Sequence, residues 1–294
     1  MPLSTTGELV AEAASQRRAV AAFNVITLEH IEAVVAAAET VGEPVILQVS
    51  ENAVKFHGGR LHPIAAAAVS AARLSGTRVA LHLDHVKSEE LLEQAADCGF
   101  SSAMFDAAHL PYQENVAATQ RAAQWAHANG LWLEAELGEV GGKDGNGPLD
   151  AHAPGARTDP GEARRFVAET GVDALAVAIG SSHAMTSRDA TIDHGLLIAL
   201  HDSLGLPLVL HGSSGVSDQE LQRAVLGGIS KVNIGTALNI AMTGAVRAEL
   251  AAAPKAVDPR GYLAAGRQAI TETVVALLTT VSTAAWDGVP NRGA

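Results

Sequence analysis

The chain has 294 residues, of which 48% are hydrophobic, 18% charged and only 3% aromatic. That length suits one large domain or two ordinary ones, with a core built from Ala, Val, Leu and Ile. A formal net charge of −12 argues against nucleic acid or an anionic membrane as the main partner, since both select a basic surface.

In chain order, eight short apolar runs read as strands: Val20–Asn24, Pro44–Ser50, Val79–Asp84, Ser102–Asp106, Trp132–Leu137, Ala174–Gly180, Leu208–His211 and Lys231–Ile234. Helical patterns separate them. Leu28–Thr40 follows Thr27 as N-cap, and Glu89–Asp97 follows Ser88 with acids in its first turn. Asp159 with Pro160 and Glu162, and Ser217 with Glu220, have the form of capping boxes, the second before Leu221–Leu226. This alternation predicts an α/β fold, a (β/α)8 TIM barrel with parallel strands buried on both faces. A helical C-terminal extension is expected over about residues 236–280, and the whole of 1–294 reads as a single domain.

Cys98 is the single cysteine, so no intrachain disulfide forms. With no cation beside it in sequence, it reads as a small buried hydrophobe. Arg17 and Arg18 break any apolar signal-peptide core. No run approaches the roughly 20 apolar residues of a membrane span. The expected compartment is the cytoplasm.

The strand ends carry the chemistry. Asn24, Ser50, Asp84, Asp106, Glu136, His211 and Asn233 lie at or just before them, and His85 and His183 just past theirs. In a barrel those ends meet on one face, where active sites sit. Three strands that each deliver one His there can build a three-nitrogen metal site with an open position, the arrangement of a catalytic zinc. Most of the other histidines, such as His30, His62 and His127, read as ordinary core or surface residues. The Gly/Pro-rich connection 141–160 reads as a mobile active-site lid.

Several segments together resemble the class II, zinc-dependent ketose-bisphosphate aldolases, nearest to the tagatose- and fructose-bisphosphate subgroup. They are His82-Leu83-Asp84-His85, Glu134-Ala135-Glu136-Leu137-Gly138, His183, His211-Gly212-Ser213-Ser214-Gly215 and Lys231-Val232-Asn233-Ile234. The likeness runs from Ala22-Phe23-Asn24 to Asp258-Pro259-Arg260. It implies a lyase of carbohydrate metabolism. A ketohexose 1,6-bisphosphate would be cleaved reversibly to dihydroxyacetone phosphate and glyceraldehyde 3-phosphate through a metal-stabilised enediolate. By resemblance, His85, His183 and His211 bind zinc, and Asp84 removes the proton from the hydroxymethyl carbon. Glu136 and Asp106 face the metal, as orienting groups or an alternative ion position, while Glu134 is a structural partner. Gly212, Ser214 and Thr236 belong to the phosphate site after the seventh and eighth strands. Asn24 and Asn233 contact substrate, and Ser50 places the aldehyde. Arg260 holds the second phosphate, often from a neighbouring subunit. A homodimer or homotetramer and a monovalent cation near the phosphate site are further expectations.

Three positions depart from the family pattern. Lys143 and Asp144 stand where a lid Glu usually protonates the aldehyde oxygen, so Asp144 is the candidate acid. Ala184 replaces a Gly after His183, and Gly235 and Ala237 replace more polar residues after Asn233. A Schiff-base aldolase is the competing enzyme, but of the five lysines only Lys231 is near a strand, at its start and so at the wrong end. A metal hydrolase would leave paired phosphate sites without purpose. A non-catalytic aldolase-like partner subunit is set against the retention of Asp84 and all three histidines. Another phosphorylated keto-sugar or keto-sugar acid remains an alternative substrate.

Overall fold

The computed structural model describes residues 3–138 and 157–282. Eight parallel strands close into a barrel in sequential order. The order is α1 (Thr6–Ser15), β1 (Val20–Asn24), α2 (Leu28–Val41), β2 (Val45–Ser50), α3 (Glu51–Phe56), α4 (Leu61–Leu74), β3 (Val79–Val86), α5 (Glu89–Asp97) and β4 (Ser102–Phe105). Then come α6 (Tyr112–Ala128), β5 (Trp132–Leu137), α7 (Pro160–Thr170), β6 (Ala174–Val177), α8 (His194–Leu204), β7 (Leu208–Leu210), α9 (Asp218–Leu226), β8 (Ile229–Ile234), α10 (Thr236–Ala252) and α11 (Pro259–Ser282). The predicted (β/α)8 barrel with C-terminal helices is therefore the observed fold.

Alternation along the strands separates two environments. Outward residues such as Ala21, Phe23, Leu47, Leu81 and Leu83 join the large core under the helices. Inward residues Val20, Ala22, Ile46 and Ala80 pack with Leu9 and Val10 of α1, which plugs the N-terminal mouth. Burying each of the Val, Leu, Ile and Phe side chains contributes roughly 1.5–3 kcal/mol, and an Ala methyl about 0.8 kcal/mol. Helix α1 went unread in the sequence, although Thr5 and Glu8 form a full capping box. Toward the C-terminal mouth the inward positions turn polar: Asn24, Gln48, His82, Asp84, Glu134, His211 and Asn233. A smaller cavity of about 250 Å³ lies under the N-terminal ends of β1 and β2, where the Arg18–Glu43 and Arg78–Glu12 ion pairs neutralise its charges.

The boundaries differ from the sequence expectations for local reasons. Strand β6 ends at Val177 because the next amide, that of Ala178, donates to Thr158 Oγ1. Strand β3 runs on through His85 to Val86 with a register shift against β4. Strand β8 begins at Ile229, so Lys231 is not at its start but inside the barrel and fully buried. The Thr27 hydroxyl pairs with the His30 ring instead of capping α2. Asp159 and Ser217 do cap their helices. The Glu220 carboxylate bonds to the Ile192 amide, His194 and Arg223, in place of the second half of a capping box. Of the C-terminal helices, α11 packs on α2 and α9 and so completes the outer layer, while α10 lies along α11 and buries only Leu238.

Candidate active site and metal centre

A cleft of about 440 Å³ opens at the C-terminal mouth. Asn24, Ser50, Asp84, His85, Asp106 and His183 line it, as do Gly212, Ser214, Asn233 and Thr236. The fold thus brings together on one wall what the sequence scattered over more than two hundred positions. His85 has a left-handed φ of 51° within the β3 irregularity. His183 stands in the loop after β6, and His211 directly follows β7. Gly212 holds these last two together. It has φ 67°, and a Cβ there would meet the Ser182 carbonyl at 2.5 Å, so a side chain would force the loops apart.

The three imidazoles stack edge to face, with centroids 5.0 Å apart for His85 and His183, 4.9 Å for His85 and His211, and 5.5 Å for His183 and His211. One ligand atom from each, with a carboxylate oxygen of Glu136, falls within 4.8 Å of all the others. His85 Nε2 lies 3.2 Å from His211 Nδ1. Two nitrogens on a tetrahedral zinc at 2.0–2.1 Å are separated by about 3.3 Å. The donor set, and the spacing of this nitrogen pair, fit a divalent cation.

Two of the imidazoles are held at the edge turned away from that cluster. His85 Nδ1 is 3.0 Å from Asp106 Oδ2, which makes Asp106 an orienting group in this structure. His211 Nε2 is 2.8 Å from Glu134 Oε1, and Lys231 Nζ donates to Glu134 Oε2 at 2.8 Å. Asp84 is buried, and its Oδ2 accepts from Asn24 Nδ2 at 2.8 Å. Its Oδ1 is buried with no hydrogen-bond partner among the described residues. Burial pushes the Asp84 carboxyl up, but His85, His211, Lys231 and the Asn24 bond outweigh it and hold the group below its usual range. The result is a carboxylate with one oxygen fixed and one available, next in sequence to His85 of the His/Glu cluster.

The same cleft also offers amides. Helix α10 begins at Thr236, and its N-cap, Gly235, has no side chain to cap the first turn. The Ala237 amide donates to Ser214 Oγ at 3.0 Å. A helix N-terminus beside Gly212 and Ser214 suits an anion. Ser50 lines the cleft but also caps α3 through the Ala53 amide.

Two expected residues are not among the described residues of the cleft or of the imidazole cluster. Asp144, with most of the 141–160 connection, lies outside the described residues. Arg260 opens α11, is 89% exposed and pairs with Asp258 of its own chain, outside the cleft lining. Sequence reading missed Lys55, Phe56 and Lys87, which do line the cleft. Lys87 sits two residues after His85, a proximity that was available as a signal. The lysine once weighed as a Schiff-base candidate, Lys231, does not line the cleft. Its ammonium is spent on Glu134 and Asn233.

A family model described as class II fructose-bisphosphate aldolase matches residues 4–285. The chain is 40% identical to a fructose-bisphosphate aldolase of Geobacillus stearothermophilus over 280 residues, covering 94% of this chain and 95% of that one. It is 37% identical to the fructose-bisphosphate aldolase of Giardia intestinalis, over 94% of this chain and 91% of the relative. Among solved structures, the YdjI aldolase of Escherichia coli K12 superposes with a TM-score of 0.82 at 30% identity, covering 95% of this chain and 97% of the other. The chain belongs to the class II fructose-bisphosphate aldolase family, a family of lyases that implies a divalent metal and a phosphorylated sugar substrate. Among the described residues no helix is long and apolar enough to cross a membrane.

Proposed function

From that membership and the geometry of the cleft we propose that the chain is a zinc-dependent aldolase. It cleaves a ketohexose 1,6-bisphosphate, fructose or tagatose, to dihydroxyacetone phosphate and glyceraldehyde 3-phosphate. The observation that carries this reading is the unpartnered Oδ1 of Asp84, next in sequence to His85 of the His85–Glu136–His183–His211 cluster, in a cleft that Asp84, His85 and His183 line. His85, His183 and His211 would hold the zinc, which would supply Lewis acidity toward the substrate's carbonyl group.

The chain's own residues do the rest. Asp84 Oδ1 accepts the proton from the hydroxymethyl carbon, while Asn24 keeps Oδ2 turned away. Gly212, Ser214, Thr236 and the first amides of α10 bind the phosphate of the three-carbon half. Asn233 contacts the reacting carbons and Ser50 seats the aldehyde. Asp144 returns a proton to the aldehyde oxygen in condensation, and the partner subunit's Arg260 holds the second phosphate in a homodimer or homotetramer.

The test is cleavage of both bisphosphates by metal-stripped and zinc-loaded protein, with and without sodium or potassium. Activity is expected to vanish on stripping, to return with zinc or cobalt, and to survive borohydride in the presence of substrate. Full turnover after proven metal removal would overturn the assignment.

A further inference from the structure

Lys231 is the third residue of β8 and has no exposed surface. A lysine inside a barrel needs a reason, because burying an ammonium is costly unless every donor is used. Two of its acceptors are Glu134 Oε2 and Asn233 Oδ1, each at 2.8 Å. Glu134, also fully buried, is thereby split between two tasks. Its Oε2 faces Lys231, and its Oε1 faces His211 Nε2 at 2.8 Å. The other nitrogen of that ring, Nδ1, faces His85 Nε2 and Glu136, in the metal cluster.

His211 Nε2 has a second close neighbour, the Asn233 amide nitrogen at 2.9 Å. The two neighbours demand opposite things of the ring. Glu134 offers only acceptors, so it calls for Nε2–H. An amide N–H calls for a bare Nε2, and would leave the proton on Nδ1, where a metal must bind. The choice of tautomer is therefore the choice between a competent ligand and a blocked one.

We propose that Lys231 is a positioning residue that selects the metal-binding tautomer of His211. By fixing Glu134 Oε2, it leaves Oε1 as the acceptor that keeps the proton on Nε2 and the lone pair on Nδ1. The same ammonium holds Asn233 by its oxygen and so turns the amide nitrogen toward the ring, but the charge-assisted bond from Nε2–H to the Glu134 carboxylate is the stronger of the two contacts and decides the tautomer. The inference deepens the metal-site reading of the previous section, yet its readouts do not depend on aldolase turnover.

The first measurement is nitrogen-15 NMR of the metal-free parent, which is expected to show His211 protonated on Nε2. A proton on Nδ1 would overturn the proposal. The second is zinc affinity by competition with a chromophoric chelator. Lys231→Met leaves a buried carboxylate without its cation and is prone to misfold, so Glu134→Gln and Lys231→Met/Glu134→Gln are measured beside it. Because Lys231 acts through Glu134, the double variant is expected to bind zinc no more weakly than Glu134→Gln alone, and a further loss would overturn the proposal. Zinc is expected to bind 10- to 100-fold more weakly in whichever variant is folded by circular dichroism. Parent affinity in a folded variant would overturn the proposal. A protein that passes both tests yet cleaves no bisphosphate would refute the proposed reaction and leave the role of Lys231 standing.

Discussion

Asp84 and His85 are consecutive in β3, yet both line the same cleft. A regular strand would send them to opposite faces. Here the left-handed φ of His85, 51°, and the register shift against β4 between Leu83 and Val86 turn the second side chain back over the mouth. An irregularity of this kind re-aims a side chain at the cost of local pairing. It places the proposed base next to a proposed metal ligand with no loop between them.

That juxtaposition predicts how Asp84→Asn behaves. The amide keeps the shape and can still meet Asn24, so zinc content should match the parent. It cannot take up a proton, so solvent exchange of the dihydroxyacetone phosphate C–H should fall by about 10²–10⁴. Exchange at the parental rate would remove Asp84 from the chemistry.

The barrel was legible because its strands are apolar runs that end abruptly in polar residues, as at Leu83-Asp84-His85 and Leu210-His211. The site was legible for the same reason, since strand ends converge whatever the loops do. What escaped was set by tertiary contact. Nothing in the sequence of β3 announces that His85 turns back. Lys231 looked like a strand start because Ile229 and Ser230 follow two glycines. Its burial depends on Glu134, a residue 97 positions away. Helix α1 escaped for a different reason, since its Thr5–Glu8 box was in plain view and was not used.

Ala184 offers a test of stored strain. It stands where the resembled family has Gly, is exposed, and holds φ at 58°. An L-residue in that region is destabilised by about 1–2 kcal/mol. Glycine relieves this but gains freedom in the unfolded chain, worth about 0.4–1 kcal/mol against it. Ala184→Gly should therefore raise the unfolding free energy by up to about 1 kcal/mol in urea titrations, while Ala184→Val should lower it. A loss of stability in the Gly variant would show that the backbone there is not strained.

His82 predicts an acid limit on stability. It is fully buried, with Nδ1 2.8 Å from Ser102 Oγ. Burial, then the nearby Lys231 charge, pushes its pKa well below the ordinary value. The unfolded chain takes up a proton near pH 6.5, and the folded protein does so only at much lower pH. The stabilisation is thus complete above about pH 6.5 and is lost as pH falls below it, by about 1.4 kcal/mol per pH unit for one such group. His30, buried and shifted down by desolvation, adds in the same direction. His82→Asn should flatten the dependence of unfolding free energy on pH between about 6.5 and 5. An unchanged slope would mean that His82 is protonated in the fold.

Arg260 separates the two halves of the proposed substrate. Its guanidinium is exposed on α11 and bound to Asp258 of the same chain, outside its own cleft. In the proposed function its contact with substrate is made across a subunit boundary. Loss of one charge-assisted bond to a phosphate should weaken binding by about 1.5–3 kcal/mol, on the order of ten- to a hundredfold. Arg260→Ala should accordingly raise KM for the bisphosphate. It should leave exchange on dihydroxyacetone phosphate near the parental rate, because that half lacks the second phosphate. Sedimentation of the variant shows whether the assembly is kept. Equal damage to both reactions, or an unchanged KM in an intact oligomer, would remove Arg260 from the substrate site and leave the second phosphate to other residues of the cleft.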